Sequence, residues 1–489
     1  MIYQLFADNL VEEARIDLPA SKSLSNRALI LKALCTQSCQ LSHLSDCDDT
    51  AVMLRAFAPE AADAVSPRVV DIGAAGTSMR FLTAYYATHP GADVILTGSE
   101  RMKQRPIKIL VEALRSLGAD IEYTDNEGFP PLRIRGKRLE GGQLSIDGST
   151  SSQYISALLM VAPTLSHGLQ LFLAGQVTSR PYIEMTLALM RQFGIESSFK
   201  ESYIEIEPQT YQAQDYVVES DWSAASYWYE MMALSRPATQ TGDHPLHRIT
   251  LLGLQPDSLQ GDSAIARFFA QLGISTEFVD EGALLTTTDQ PLPDRVDWDL
   301  ASQPDLAQTI IATLCALGVP FRIQGLHTLR IKETDRIAAL LTELGKCGYQ
   351  VEAKGDDVML WDGALCTKAD PVIIDTYQDH RMAMAFAPLA ITMFRNYGQE
   401  LTDVADADAL YVNHPEVVSK SYPTFWDDMR LVQTEINPID REPDDYLQYR
   451  RQTMLRIANT HHKAKVILNT GLVLVGLLII VVILLFCLL

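Results

Sequence analysis

Residues 330–336, RIKETDR, place five ionisable side chains in seven consecutive positions. The stretches on both sides are apolar, so the pattern predicts a strand before these residues and a helix after them. Acidic side chains in the first turn of a helix are stabilised by the helix dipole, whereas cations there are not. Lys332 and Arg336 therefore do not fit a merely solvated helix start, and their position predicts that an anion binds at this turn.

Other polar turns share this pattern, because each precedes an apolar stretch that is typical of a helix. These turns lie within residues 18–31, 71–82, 99–107, 147–154 and 376–384. Hydroxyl groups, cations and helix N-termini together bind phosphate and carboxylate groups. Each turn alone is also typical of an ordinary solvated cap or loop. Taken together, they predict helix N-termini that converge on one anion-binding cleft.

The composition limits the classes of partner. The chain has 489 residues and a formal net charge of −21, which argues against nucleic acid because phosphate backbones need a basic surface. A local cationic cleft still attracts small anions in an acidic protein. The seven cysteines show no spacing that is typical of a zinc site, so we expect reduced thiols and no metal.

The C-terminal stretch differs from the rest of the sequence. Residues 471–489 are an unbroken apolar run, and about 20 such residues are enough to cross a bilayer as a helix. The run predicts a transmembrane helix over 466–489, joined to the globular part by an acidic and then basic linker, 430–465. Because the basic flank lies upstream, the globular part is expected on the cytoplasmic side, tethered to the inner face of the membrane.

Four similar segments predict repeated α/β modules. Each is an amphipathic helix pattern that ends at a glycine and is followed by a short strand pattern. The glycines are Gly118, Gly194, Gly273 and Gly348, which are 76, 79 and 75 residues apart. This spacing suits a βαβαββ module rather than a solenoid repeat. The stretch 217–228 interrupts the pattern and is the predicted crossing between two domains.

Eight strings in this order resemble the 5-enolpyruvylshikimate-3-phosphate synthase (EPSP synthase) family over about residues 1–428: ASKSLSNRA, AGTSMR, RMKQRPI, DGSTSSQ, TSRPYI, RIKETDR, DHRMAM and VSKSYP. The resemblance implies an α/β, two-domain enolpyruvyl transferase fold, in which each domain consists of pseudo-repeated βαβαββ units arranged like an inside-out α/β barrel. It implies domains at 1–20 with 220–429 and at 21–219.

The implied reaction is transfer of the enolpyruvyl group of phosphoenolpyruvate to the 5-hydroxyl of shikimate 3-phosphate, with release of phosphate through a tetrahedral intermediate. The resemblance places this step in the shikimate pathway, toward chorismate and aromatic amino acids. No metal or organic cofactor is expected, and the globular part is expected to be a monomer.

The resemblance also implies roles for individual residues. Shikimate 3-phosphate is expected to contact Lys22, Ser23, Arg27, Ser151, Ser152, Gln153, Ser179, Tyr182 and Lys332. Phosphoenolpyruvate is expected to contact Lys22, Gly76, Arg105, Arg336, Arg381 and Lys420. Asp305 would accept the proton of the attacking hydroxyl, and Glu333 would protonate the methylene carbon. Lys22 is expected to assist catalysis because it touches both substrates.

Three positions depart from the usual family pattern. Ala74 stands where relatives have Asn, Phe81 where they often have Pro, and Thr328 where they have an Asn that binds shikimate. Two alternatives stay open. One is the sister enolpyruvyl transferase acting on UDP-N-acetylglucosamine, which uses a mobile-loop cysteine that no basic loop of this chain contains. The other is a catalytically dead, membrane-anchored binding protein, against which the complete set of charged positions argues.

Overall fold

The computed structural model describes residues 1–7, 10–58, 66–236, 246–393 and 409–439. Residues Tyr3–Asn437 form one compact unit, and the few other described residues belong to a second unit at the chain ends. No helix among the described residues is both long and apolar enough to cross a membrane. The predicted span 466–489 and residues 440–465 of the predicted linker 430–465 lie outside these residues. The first ten residues of that linker instead form the end of a helix, Phe425–Leu431, and a strand, Glu435–Ile439.

Helices and strands alternate along most of the described chain. The helices are α1 Lys22–Leu34, α2 Asp48–Ala56, α3 Gly76–Thr88, α4 Lys108–Ser116, α5 Ser152–Val161, α6 Arg180–Gln192, α7 Trp222–Leu234, α8 Ile265–Ala270, α9 Ala307–Leu317, α10 Arg336–Lys346, α11 His380–Phe386, α12 Ala390–Met393 and α13 Phe425–Leu431. Short 3-10 helices that carry or flank site residues are Met102–Gln104, Pro304–Leu306, His327–Ile331 and Pro415–Lys420.

The strands are short and lie in several small sheets. They are β1 Ile2–Phe6, β2 Glu13–Asp17, β3 Leu41–Ser42, β4 Arg68–Asp71, β5 Asp93–Thr97, β6 Asp120–Tyr123, β7 Leu132–Arg135, β8 Gly142–Asp147, β9 Leu169–Ala174, β10 Ser198–Lys200, β11 Tyr203–Ile206, β12 Tyr216–Val217, β13 Arg248–Leu252, β14 Ile274–Val279, β15 Gly282–Thr287, β16 Val296–Asp299, β17 Phe321–Gln324, β18 Glu352–Lys354, β19 Val358–Trp361, β20 Val372–Asp375, β21 Leu410–Asn413 and β22 Glu435–Ile439.

One strand arrangement recurs in four of the sheets that the described residues form. Strand β4 pairs parallel with β5, with α3 between them in the chain, because parallel neighbours need a crossover connection. Strand β7 then pairs antiparallel with both β5 and β6. The sheets of β8–β11 and β16–β19 repeat this order. So does the sheet of β2, β13, β14 and β15, although β2 and β13 are far apart in sequence. The predicted βαβαββ module is therefore present.

The glycines that end the repeated helices have the predicted conformation. Gly118, Gly194, Gly273 and Gly348 have φ angles of 101°, 80°, 80° and 96°, which side-chain-bearing residues rarely adopt. Each follows closely after one of the helices α4, α6, α8 and α10. The left-handed glycine allows the chain to leave the helix and enter the next strand.

Two hydrophobic cores lie within the compact unit. One consists of buried residues from Leu5 to Leu18 and from Trp222 to Ile436; we call this part the discontinuous lobe. The other consists of buried residues from Ala20 to Val218; we call it the continuous lobe. The two chain crossings lie side by side, because Ser21 N–H donates to the Glu219 carbonyl at 2.8 Å and Asp221 N–H to that of Pro19 at 2.9 Å.

Candidate active site

A cavity of about 230 Å³ is lined by residues of both lobes. All the predicted site residues line it except Lys420, which reaches it through Glu333. The helices that begin at or directly beside a residue lining this cavity include α1, α3, α4, α5, α6, α10 and α11. Helix N-termini carry partial positive charge from unpaired N–H groups. The convergence of helix starts that the sequence pattern predicts is therefore present.

Two buried arginines on the continuous-lobe side are held by uncharged groups. Arg27 donates through Nε to Thr186 Oγ1 at 2.8 Å, and its other nitrogens reach the Ser23 carbonyl and Ser156 Oγ. Arg80 donates to the carbonyls of Gly76 and Pro106. Burial lowers the pKa of each guanidinium to about 10, so both remain charged at neutral pH. A buried cation that only neutral groups hold favours an anionic ligand.

Lys22 lies at the first position of α1, after the N-cap Ser21. Its Nζ is 3.4 Å from Asp49 Oδ2, and both side chains are largely buried. Burial acts to lower the pKa of Lys22, but Asp49 together with Cys47 and Glu333 outweighs this effect and the pKa is raised. The ammonium group therefore enters the cavity fully charged.

Hydroxyl and amide groups complete the continuous-lobe side. Ser151 caps α5 and accepts from the Gln153 N–H, while Gln153 Nε2 donates to Thr77 Oγ1 at 3.1 Å. Ser179 precedes α6 with a φ of 53°, an unusual value for a residue other than glycine. Tyr182 donates its hydroxyl to Asp262 Oδ1 at 2.7 Å, so a carboxylate of the discontinuous lobe holds this ring.

The discontinuous-lobe side is built around Arg336, the first residue of α10. Its guanidinium contacts three carboxylates: Asp379 at 2.7 Å, Asp305 at 2.9 Å and Glu333 at 3.0 Å. Burial acts to lower the pKa of Arg336, but Asp379 and Glu333 lead the opposing effects and the pKa is raised. An anion was predicted to bind at this helix start. The protein's own carboxylates already occupy part of that position.

Asp305 precedes α9 and collects cations from three directions. Arg381 Nη2 lies 3.3 Å from its Oδ2, and Lys332 Nζ lies 3.4 Å from its Oδ1. Burial acts to raise the pKa of Asp305, but Arg381, Lys332 and Arg336 outweigh it and hold the pKa well below its usual range. The carboxylate is therefore ionised.

Glu333 faces cations of both lobes. Lys420 Nζ donates to its Oε1 at 3.0 Å, and Arg105 Nη1 of the continuous lobe is 3.7 Å from the same oxygen. Burial acts to raise the pKa of Glu333, but Lys420 and Arg336 lead the effects that lower it well below its usual range. Lys420, which looks isolated in the sequence, thus belongs to the same charge cluster.

Not every charge of RIKETDR serves the cavity. Arg330 pairs with Asp335 at 2.9 Å and with Asp356 at 2.7 Å. Asp335 also caps α10 by accepting from the Ala338 N–H. These two residues fit the simple reading of a capped helix start, whereas Lys332, Glu333 and Arg336 reach the cavity.

Sequence reasoning missed several residues that shape the site. Asp49 holds Lys22, Asp379 holds Arg336, and Asp262 holds Tyr182. The motif DHRMAM contains Asp379 and His380, but the sequence alone assigns neither of them a role. His380 lines the cavity, and burial together with Lys22 lowers the pKa of its ring well below the usual value. The signal for Asp379 was an acid directly before an apolar helix, which is the pattern of an N-cap.

The chain matches the family EPSP synthase (3-phosphoshikimate 1-carboxyvinyltransferase) over residues 12–429. The chain belongs to the EPSP synthase family. A relative named 3-phosphoshikimate 1-carboxyvinyltransferase from Bacteroides fragilis is 50% identical over 431 residues, which cover 88% of this chain and 97% of the relative. One of the same name from Vibrio atlanticus is 36% identical over 440 residues, covering 85% and 96%.

A solved EPSP synthase from Acinetobacter baumannii shares the fold, with a TM-score of 0.65 at 19% identity over 89% of this chain and 100% of that one. The α/β, two-domain fold expected of an EPSP synthase is thereby confirmed. These similarities favour neither the UDP-N-acetylglucosamine enzyme nor a dead binding protein. Thr328, a departure from the EPSP synthase pattern, lines the cavity, and its buried hydroxyl has no hydrogen-bond partner among the described residues.

Proposed function

We propose that this protein transfers the enolpyruvyl group of phosphoenolpyruvate to the 5-hydroxyl of shikimate 3-phosphate and releases phosphate. The observation that carries the proposal is that the two sides of one cavity differ in their chemical groups. Cations and hydroxyl groups of the continuous lobe face two carboxylates, Asp305 and Glu333, that the discontinuous lobe holds among further cations. The cations and hydroxyl groups can bind two anionic substrates, and the two carboxylates can transfer protons to and from them.

Shikimate 3-phosphate binds to the continuous-lobe side in this proposal. The cavity residues Lys22, Ser23 and Arg27 and the group Ser151, Ser152, Gln153 and Ser179 supply charge and hydrogen-bond donors for its phosphate. Tyr182, fixed by Asp262, lies against the ring. Lys332 approaches the shikimate substrate from the other lobe.

Phosphoenolpyruvate binds where the two lobes meet. Arg105, Arg336, Arg381 and Lys420 already cluster around Glu333 and Asp305. Gly76 lies beside Arg105, so close that an added Cβ would come within 2.6 Å of Arg105 Nη1. The absence of a side chain at this position therefore keeps the guanidinium in place.

The two carboxylates have complementary tasks. Asp305 accepts the proton of the attacking 5-hydroxyl, and Glu333 donates a proton to the methylene carbon during addition. In elimination the two roles reverse: Glu333 takes a proton back from the resulting methyl group, and Asp305 gives its proton to the departing phosphate. Lys22 and the arginines stabilise the charge on the departing phosphate.

Substrate binding itself prepares Glu333 to act as an acid. The pKa of Glu333 is low because Lys420, Arg336 and Arg105 surround it. When the phosphate and carboxylate of phosphoenolpyruvate neutralise these cations, only the effect of burial remains at full strength, and it raises the pKa. Glu333 then takes up the proton that it later donates. The basicity of Asp305 rises for the same reason.

The test is phosphate release by the full-length protein with each substrate alone and with both together. Release only with both substrates, and its loss in Lys22→Met, supports the proposal. No release from the folded wild-type protein contradicts it. Turnover restored by replacing shikimate 3-phosphate with UDP-N-acetylglucosamine would instead support the sister activity.

The domain boundaries predicted from the sequence, 1–20 with 220–429 and 21–219, are part of this proposal. They are supported by the two places where the chain passes from one hydrophobic core to the other, between Leu18 and Ala20 and between Val218 and Trp222. Limited proteolysis with shikimate 3-phosphate present and absent tests them. Cleavage within 217–221 that the substrate suppresses is the expected result.

Residues 466–489 are proposed to anchor the protein in a membrane, with the catalytic part on the cytoplasmic side. The support is the apolar run 471–489 and the basic residues before it. Full-length protein is expected to stay with membranes through an alkaline carbonate wash, whereas a chain ending at 465 is not. Release of the full-length protein by that wash contradicts the anchor.

A further inference from the structure

Arg101 joins the two lobes next to the cavity without lining it. It precedes the short 3-10 helix Met102–Gln104 of the continuous lobe. Its Nε donates to the backbone carbonyl of Glu333 at 3.2 Å, and its Nη2 donates to that of Lys332 at 3.4 Å. One guanidinium of one lobe thus holds two consecutive carbonyls of the other.

The backbone that Arg101 holds has little other support. Residues 332–334 form a bend between the 3-10 helix His327–Ile331 and α10. The carbonyls of Lys332 and Glu333 take part in none of the backbone–backbone hydrogen bonds found in the described turns and loops. The side chains of Lys332 and Glu333 nevertheless line the cavity. Glu333 is thus held in two ways, by the ion pairs of its carboxylate and by the contact of Arg101 with its main chain.

A second contact joins the lobes in the same manner. Ser419 Oγ donates to Asp48 Oδ2 at 2.6 Å. Ser419 directly precedes Lys420, the residue that contacts Glu333, and Asp48 directly precedes Asp49, which contacts Lys22. In both cases a residue that does not line the cavity donates a hydrogen bond to the other lobe. That hydrogen bond lies at a charged residue of the site or one residue away from it along the chain.

We propose that Arg101 is a positioning residue for proton transfer by Glu333. This inference rests on the proposed function and adds a residue that acts without touching substrate. The guanidinium is suited to this task because its planar donors can bind two acceptors at once. Its contribution to overall stability is expected to be small, because the contact is solvent-exposed. A displacement of about 1 Å at a reacting group costs up to about a hundredfold in rate.

The first test is turnover by Arg101→Ala and Arg101→Lys in the full-length protein. We expect kcat to fall on the order of ten- to a hundredfold in Arg101→Ala, with a smaller change in either KM. Arg101→Lys keeps the charge and can hold one carbonyl, so its kcat is expected between the two. The matched control is Lys103→Ala, since Lys103 lies on the same turn but pairs with Glu100 at 2.8 Å.

The second test does not depend on the substrate. Amide hydrogen exchange across 331–335 is expected to speed up in Arg101→Ala and to stay unchanged in Lys103→Ala. Unchanged exchange, or faster exchange with kcat within twofold of wild type, overturns the proposal. Equal losses in Arg101→Ala and Lys103→Ala overturn it as well. A wild-type protein that releases no phosphate rejects the proposed function, and with it a role of Arg101 in that reaction.

Discussion

The two walls of the cavity hold their positive charges in different ways. On the continuous-lobe wall, Arg27 and Arg80 donate to hydroxyl and carbonyl oxygens, and burial lowers the pKa of both. On the discontinuous-lobe wall, Arg336 and Arg381 contact carboxylates, and their pKa values are raised. Unlike Arg336 and Arg381, Arg27 and Arg80 have no carboxylate partner among the described residues.

In the proposed function, this difference separates substrate binding from proton transfer. Cations without acidic partners keep their attraction for a substrate phosphate, because no internal salt bridge has to be broken first. Carboxylates surrounded by cations stay ionised until a substrate anion changes the local charge. A single wall with both properties would neutralise itself. The two lobes keep these charge states apart except at a few contacts, such as that of Arg105 with Glu333.

Removing a carboxylate from the discontinuous-lobe wall should have the largest effect on activity. Glu333→Gln keeps the size of the side chain but can neither donate nor accept the required proton. We expect kcat to fall by on the order of 10²- to 10⁴-fold, measured as phosphate release with both substrates. Glu352→Gln, an exposed change in β18, serves as the control. A loss below tenfold in Glu333→Gln would remove Glu333 from the mechanism.

Removing one arginine from each wall compares the walls in stability. Arg336→Met leaves the fully buried carboxylate of Asp379 without its cation, which typically costs about 3–5 kcal/mol. Arg27→Met removes hydrogen bonds to neutral groups, for which we expect about 1–3 kcal/mol. Urea unfolding of both variants measures the free energies. Equal destabilisation would show that the two arginines are held in equivalent ways.

Asp262 lies in the discontinuous lobe but holds Tyr182 of the continuous-lobe wall, so it tests a contact between the two sides. Burial and the charge of Asp305 raise the pKa of Asp262 to about 6. The folded state then binds more protons than the unfolded state, and this group's stabilising contribution is lost as pH rises from about 4 to about 6.

Asp262→Asn has no carboxyl to ionise. Its free energy of unfolding should therefore fall less than that of wild type over this pH range, by up to about 3 kcal/mol. Urea unfolding at several pH values between 4 and 7 measures the difference. Parallel pH profiles of the two proteins would place the pKa of Asp262 near its ordinary value.

The smallest effect is expected from a single added methyl group. Gly76→Ala places a Cβ within 2.6 Å of Arg105 Nη1, and the flexible end of Arg105 has to move. We expect KM for phosphoenolpyruvate to rise on the order of tenfold, equivalent to about 1.4 kcal/mol, with little change in stability. Gly345→Ala in α10 is the matched control, because nothing lies within 4 Å of its added Cβ. An unchanged KM would mean that Arg105 can shift without loss of binding.

Much of the fold could be predicted from local patterns. The glycines at 118, 194, 273 and 348 mark helix ends because only a residue without Cβ readily takes a left-handed conformation there. Apolar stretches after polar turns correctly predicted the helices at the cavity. The pairing of β2 with β13 could not be read this way, because sequence periodicity does not specify which distant strands become neighbours.

The chemical character of most of the cavity could likewise be predicted from the sequence. Cations and hydroxyls at helix starts have a local physical reason to bind anions, and the ordered strings made the family recognisable. The partners of those residues were not readable in this way. Asp49, Asp262 and Asp379 look like ordinary acids along the chain, since nothing local states which cation each will contact.

The sequence by itself thus determined the repeated module, the helix starts and the chemical character of the cavity, because these depend on neighbours a few residues apart. Tertiary structure alone decided which charges are compensated. Arg336 meets Asp305 and Asp379 from two other segments, and Glu333 meets Lys420 and Arg105 from opposite lobes. The protonation state of a buried group depends on all charges within a few ångströms, and only the folded chain brings those charges together.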